Sequence, residues 1–153
     1  MTIPQNKGKY IISDAAREGR KHNYPMGLIY SPIGKPARKA YSLFPAVDEA
    51  GKGFEYIDEL LRASFYEGIN IGEDEYLQSL ITNLDLDWSL IKKDLNSRKW
   101  KKVLDDNLKD MYAGNCWGVP SFKITDIDGN NPFTVWGQDR MWLLKEEINK
   151  RLG

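Results

Sequence analysis

Thiols and imidazoles are scarce in this chain of 153 residues, which contains one cysteine, Cys116, and one histidine, His22. A single cysteine excludes an intramolecular disulfide and a Cys-x-x-Cys redox pair within these residues. No group of His, Cys, Asp or Glu stands at a spacing typical of a metal site, and no glycine-rich phosphate loop is present. We therefore expect no metal cofactor, and we interpret Cys116 as a buried small hydrophobe.

An excess of charge and long apolar runs are absent as well. Basic and acidic residues number 22 each, which argues against a nucleic-acid partner, since such domains usually carry a basic excess. No run of about 18 apolar residues predicts a membrane-spanning helix. The first residues lack the charged start and apolar core of a secretory signal. We expect a cytoplasmic protein with no membrane partner.

Apolar periodicity predicts that the first three quarters of the chain is helical. Residues 1–6 are polar and are predicted to form a loop. Asp74 and Asp87 are candidate N-caps, because a carboxylate there accepts hydrogen bonds from free helix N–H groups. The best helical stripe contains Phe54, Ile57, Leu60, Leu61, Ser64 and Phe65. The predicted helices cover residues 9–21, 35–50, 54–67, 73–83, 87–95 and 97–113.

The periodicity changes only near the end of the chain. Residues 121–125 alternate polar and apolar side chains, as a half-buried strand does. Residues 128–131 (DGNN) predict a turn, residues 133–136 a partner strand and residues 138–152 a closing helix. The predicted fold class is therefore α+β and mostly helical, with one C-terminal hairpin. A lone two-stranded hairpin is marginal in water, and its open edge invites another chain.

The hairpin is framed by two motifs, GVPSF at residues 118–122 and WGQDR at residues 136–140. Proline cannot donate to a sheet ladder, so Pro120 suits the first residue or the edge of a strand. We predict a cis Val119–Pro120 peptide bond, which would expose the valine backbone to a ligand. The alternative is an ordinary strand entrance with a trans proline.

These motifs resemble the C-terminal part of the DsbA-like thioredoxin superfamily. Within it, the sequence is most similar to 2-hydroxychromene-2-carboxylate isomerases and kappa-class glutathione transferases. The likeness extends to KGKY at residues 7–10, SD at 13–14 and RKHNYP at 20–25. The paired GVP and WGQDR motifs do not separate an isomerase from a transferase or a thiol oxidoreductase.

The resemblance implies two domains. Residues 1–34 and 114–153 would form part of a thioredoxin-like domain, and residues 35–113 its inserted helical domain. Family members begin with a strand-helix-strand unit that carries a serine nucleophile or Cys-x-x-Cys. No segment of this sequence matches that unit, so we expect either a fragment or a shortened protein, with no catalytic residue and no activity as the chain stands.

The resemblance also implies a set of ligand contacts. Pro120 would be the family's cis-proline, and the Val119 backbone would pair with the cysteinyl part of glutathione or with a peptide. Gln138 and Asp139 would contact the γ-glutamyl end, with Asp139 taking the ammonium. Lys7 aligns with a glutathione-binding lysine after a one-residue adjustment. In the simpler interpretation, Gln138 caps the last helix, Asp139 stabilises its first turn and Lys7 is a solvated lysine.

Two functions remain open. One is a relative of glutathione- or thiol-dependent isomerases and oxidoreductases, binding glutathione weakly or taking a small thiol or aromatic ligand. The other is a non-enzymatic binding or assembly module. In either case the exposed hairpin edge predicts a homo-oligomer, most simply a dimer.

Overall fold

The computed structural model describes residues 5–24 and 26–153, with only the backbone of Gln5. The chain forms two compact units, one extending to Trp100 and the other covering Lys101–Gly153. The first unit contains α1 (Gln5–Lys21), α2 (Lys35–Glu49), α3 (Gly53–Phe65), α4 (Asp74–Asn83), α5 (Trp88–Ile91) and a 3-10 turn (Lys92–Asp94). Helix α6 (Lys99–Ala113) begins in the first unit and leads into β1 (Ser121–Ile124), β2 (Phe133–Trp136), a second 3-10 turn (Gln138–Arg140) and α7 (Met141–Leu152).

This architecture confirms the predicted α+β, mostly helical fold class, with one antiparallel hairpin near the C-terminus. The division between the units falls after Trp100. The assignment of residues 1–34 to the same domain as residues 114–153 stays a prediction. None of the described helices is long and apolar enough to cross a lipid bilayer.

Several predicted boundaries are wrong. Helix α1 already begins at Gln5, because Gln and Lys are good helix formers even without an apolar period. The rest of the predicted N-terminal loop, residues 1–4, lies outside the described residues. The predicted helix 87–95 is a four-residue α-helix followed by a 3-10 turn. The predicted helix 138–152 likewise starts as a 3-10 turn, and α7 begins only at Met141.

The helical unit has its own hydrophobic core. Leu43 and Val47 of α2, Tyr56 of α3 and Leu77 and Ile81 of α4 are fully buried. The Tyr56 hydroxyl donates to the Ala40 carbonyl oxygen at 2.9 Å. Burial raises the pKa of Tyr56, because ionisation would leave a charge in apolar surroundings. The core therefore joins α2, α3 and α4 through apolar contact and one buried hydrogen bond.

The predicted N-caps have different outcomes. Asp87 caps α5, since its carboxylate accepts the Ser89 N–H at 2.7 Å. Hydrogen bonds from Ser89 hold the pKa of Asp87 below its ordinary value. Asp74 is not a cap: it is the first residue of α4, and Glu73 occupies the N-cap position without a capping hydrogen bond from its side chain. Asp74 instead pairs with Lys39 at 2.8 Å.

Candidate functional site

The C-terminal unit encloses a cleft of about 280 Å³ between the end of α6, the segment before β1 and one face of the hairpin. All of its lining residues belong to this unit. They include Asp110, Cys116, Val119, Ser121, Lys123 and Thr134. The GVPSF motif therefore lies along one side of a concave surface.

The hairpin has a well-defined register. Ser121 lies opposite Trp136, and Ile124 lies opposite Phe133. One pair beyond the strands, the Gly137 N–H donates to the Pro120 carbonyl oxygen at 3.0 Å. Pro120 and Gly137 are thus a hydrogen-bonded pair, which brings the two sequence motifs together.

This pair determines which way the backbone of β1 faces. Hydrogen-bonded and non-hydrogen-bonded pairs alternate along an antiparallel ladder. The backbone N–H and C=O groups of Ser121 and Lys123 therefore point away from β2. Among the described residues the sheet has two strands, so no further strand covers this edge of β1.

Val119 lies two residues before the start of β1, at the beginning of this edge. The Val119–Pro120 peptide bond is cis, as predicted. The residue is 88% exposed, and neither its N–H nor its carbonyl forms a hydrogen bond to another described residue. Its backbone is therefore open to solvent next to the cleft.

Tryptophans hold the segment before Val119 against β2. The rings of Trp117 and Trp136 lie 5.3 Å apart between centroids, tilted by 39°. A Cβ atom on Gly118 would lie 2.6 Å from the Trp136 Nε1 atom. The Ser121 hydroxyl donates to the Gly118 carbonyl oxygen at 2.5 Å. Glycine is required at residue 118 because the indole packs directly on its backbone.

Contacts from α6 and the residues after it close the opposite side of the cleft. Lys123 Nζ pairs with Asp110 Oδ1 at 2.6 Å, and the Thr134 hydroxyl donates to the Gly114 carbonyl oxygen at 2.6 Å. Cys116 is buried, as predicted, with its Sγ atom 3.7 Å from the Gly114 carbonyl oxygen. The sequence did not predict these contacts. Strand alternation places Lys123 and Ser121 on one face but does not identify Asp110 as a partner.

Gln138 and Asp139 follow directly after Gly137, so the hydrogen bond to Pro120 brings them close to the valine-proline segment. The Asp139 carboxylate pairs with the neighbouring Arg140 guanidinium, and both side chains are exposed. Arg140 occupies the N-cap position of α7. The simpler interpretation of Gln138 as the cap of that helix is therefore wrong, because a 3-10 turn intervenes.

The remaining candidates lie in the N-terminal unit. Lys7 is exposed on α1. His22 follows the end of α1, where its Nε2 atom lies 3.5 Å from Glu18 Oε2. Among the residues that the structure describes, no three His, Cys, Asp or Glu side chains converge as metal ligands do.

Comparison with known proteins identifies the family to which the chain belongs. The family model of the DSBA-like thioredoxin domain matches residues 2–149, so the chain belongs to this family. This confirms the resemblance inferred from the hairpin motifs. YwbO, an uncharacterized protein of Bacillus subtilis strain 168, is 33% identical over 88 residues, which are 57% of this chain and 44% of YwbO. The chain thus spans under half the length of that relative.

Two solved structures share the fold. A 2-hydroxychromene-2-carboxylate isomerase superposes with a TM-score of 0.75 at 18% identity, covering 97% of this chain and 68% of the isomerase. The cytosolic disulfide reductase DsbM of Pseudomonas aeruginosa superposes with a TM-score of 0.67 at 21% identity, covering 100% of this chain and 81% of the reductase. Since both identities are low, these likenesses establish the fold alone.

Gly118→Ala tests the contact that shapes the site. The new methyl group would displace the Trp136 indole, so we expect a loss of about 1–3 kcal/mol of stability and a changed tryptophan emission spectrum. Denaturant unfolding and fluorescence measure both. Gly8→Ala in α1 is the control, because its methyl group would meet no atom within 4 Å. Equal stability of Gly118→Ala and the parent chain would contradict the close packing.

Proposed function

We propose that the C-terminal unit binds the backbone of a thiol-containing ligand, glutathione or a cysteine-containing peptide, at Val119. The observation that carries the proposal is the exposed and unbonded Val119 backbone at the head of an uncovered strand edge. Membership of the DSBA-like thioredoxin family supports it.

The chemistry of recognition is that of strand addition. An extended ligand can place its carbonyl near the Val119 N–H and its own N–H near the Val119 carbonyl oxygen. Backbone recognition of this kind depends little on the valine side chain. The adjacent cleft then receives the ligand's side chain.

Gln138 and Asp139 are the proposed contacts for the γ-glutamyl end. They lie beside Pro120 through the Gly137 hydrogen bond. A ligand ammonium would have to share the Asp139 carboxylate with Arg140, which weakens its attraction. The contact of Lys7 with glutathione stays a prediction, because Lys7 belongs to the other unit. We therefore infer weak glutathione binding.

These 153 residues are proposed to lack turnover by themselves. Thiol exchange requires an accessible thiolate, and nucleophilic catalysis requires a group activated by a base or a lowered pKa. The single thiol, Cys116, is only 6% exposed and faces a backbone carbonyl. A reducing, cytoplasmic compartment belongs to the proposal, since a lone free thiol is typical of such surroundings.

A second candidate is an assembly module, because the C-terminal unit exposes both a strand edge and large apolar side chains. Trp117, Trp136 and Trp142 are all exposed. The outward backbone groups of Ser121 and Lys123 can pair with the same strand of a second copy, which gives a closed two-fold dimer. Glutathione and a second copy would then compete for one edge.

Val119→Pro separates backbone recognition from side-chain recognition. Proline removes the N–H donor, so we expect glutathione affinity to fall by about tenfold as the ligand carbonyl loses its partner. Val119→Ala keeps the donor and should change affinity less than about threefold. Tryptophan fluorescence reports binding, because Trp117 and Trp136 lie next to the site. Equal affinity of the proline variant and the parent chain would refute the proposed contact.

The absence of turnover is tested on the chain and on Cys116→Ser. We expect no isomerase, glutathione transferase or disulfide reductase activity above background in either protein, because the buried Cys116 is not available as a nucleophile. Circular dichroism confirms that the variant is folded. Activity that disappears in Cys116→Ser would show that this cysteine is catalytic.

The assembly candidate predicts a particle of twice the chain mass of 17.6 kDa in light scattering at micromolar concentration. Lys123→Pro removes an outward N–H from the free edge and should yield monomers. Lys123→Ala breaks the ion pair with Asp110 but keeps that N–H, so it should remain dimeric. A monomeric parent chain would exclude dimerisation through this edge.

A further inference from the structure

Another concave site lies within the helical unit, between the N-terminal part of α2 and the segment that leads into α6. Its volume is about 330 Å³, and its lining residues are Lys35, Arg38, Lys39, Asn96 and Trp100. Three of them are basic and none is acidic, although the chain as a whole carries equal numbers of both. The pocket therefore combines positive charge with one amide and one indole ring.

The positive charge of this pocket is only partly compensated. Arg38 and Lys39 follow Lys35 by three and four residues, so three like charges share one face of α2 and repel one another. Lys39 Nζ pairs with Asp74 Oδ1 at 2.8 Å. Lys35 and Arg38 are exposed and form no ion pair with any carboxylate that the structure describes. An anion bound between these two side chains would relieve their repulsion.

The wall that carries Asn96 is fixed to α2 by a buried hydroxyl. The Asn96 N–H donates to Ser42 Oγ at 3.0 Å, and Ser42 is fully buried. The Ser42 hydroxyl in turn donates to the Lys39 carbonyl oxygen at 2.7 Å. Asn96 adopts a left-handed backbone with φ of 60°, which asparagine tolerates better than most residues. These contacts hold the two walls together, so the pocket is formed before a ligand enters.

We propose that this pocket binds an organic phosphate that carries one planar ring, a ligand of the class and size of a nucleoside monophosphate. A phosphate monoester carries nearly two negative charges at neutral pH, which matches the two uncompensated cations, Lys35 and Arg38. A carboxylate would match only one of them. The Arg38 guanidinium can donate two parallel hydrogen bonds to phosphate oxygens.

The rest of the pocket suits the ring. Trp100 is half-buried and offers the face of an indole, on which a planar base can stack. The exposed Asn96 amide supplies a donor and an acceptor for the polar edge of the base. Ligand pockets usually have volumes of about 300–1,000 Å³, so this one is large enough for a single nucleotide.

This site is independent of the one proposed at Val119. All of its lining residues belong to the unit that ends at Trp100, whereas Val119 belongs to the other unit. A free nucleotide also needs only a local cluster of cations, so the zero net charge of the chain does not oppose its binding.

The test is an NMR titration of the uniformly ¹⁵N-labelled chain with adenosine monophosphate, ribose 5-phosphate and adenosine. We expect adenosine monophosphate to shift the amide signals of Arg38 and Asn96 and the indole N–H signal of Trp100. It should bind about fivefold or more tighter than ribose 5-phosphate, which lacks the ring. Adenosine, which lacks the phosphate, should bind more weakly still.

Two substitutions test the phosphate contacts. Lys35→Gln and Arg38→Gln should each weaken adenosine monophosphate and ribose 5-phosphate about three- to tenfold and leave adenosine unchanged. Arg20→Gln is the matched control, because it removes the same charge from an exposed residue of α1 outside the pocket. It should change the affinity for none of the three probes.

Trp100→Leu tests the ring contact and should lower the affinity for adenosine monophosphate to that for ribose 5-phosphate. If this variant fails to fold, the comparison of the two phosphates on the parent chain decides the same point. Absence of shifts at the pocket, equal affinity of the parent chain for both phosphates, or unchanged phosphate binding in Lys35→Gln and Arg38→Gln would each overturn the proposal. A preference for adenosine monophosphate that these substitutions remove supports it.

Discussion

The candidate site depends on one hydrogen bond, from the Gly137 N–H to the Pro120 carbonyl oxygen. It extends the hairpin ladder by one pair. It therefore determines that the backbone N–H and C=O groups of Phe122 point toward β2, whereas those of Ser121 and Lys123 point away from it. It also brings the valine-proline segment beside the turn that carries Gln138 and Asp139. A shift of the pairing register by one residue would turn the outward backbone groups toward β2, because side chains and backbone groups alternate with a period of two.

The two units differ in how they bury apolar surface. The helical unit encloses a core in which Leu43, Tyr56 and Leu77 are inaccessible to solvent. In the second unit, α7 and the part of α6 from Lys101 onward contain no buried residue, and the apolar stripe of α6 that includes Val103 and Leu104 is exposed. A two-stranded hairpin has little stability of its own. A ligand or a second chain would therefore gain the most binding free energy at the exposed edge of β1 and at the exposed apolar side chains of this unit.

The two proposed functions of the C-terminal unit depend on the same groups, the unpaired backbone N–H and C=O groups at the β1 edge. A ligand strand and a second copy of the chain satisfy these groups in the same way. Cys116 lines the cleft next to Val119 but offers no accessible thiol, because the residue is buried.

The sequence by itself determined the class of fold, because helical and strand periods are local properties. It located the described helices within about four residues and the hairpin almost to the residue, and its motifs identified the family and the cis Val119–Pro120 bond. Tertiary structure decided the rest. Lys123 pairs with Asp110, and the indole of Trp136 packs against Gly118; both contacts join residues that are distant in sequence. A periodic pattern predicts which face a side chain occupies, but only packing determines what that face meets.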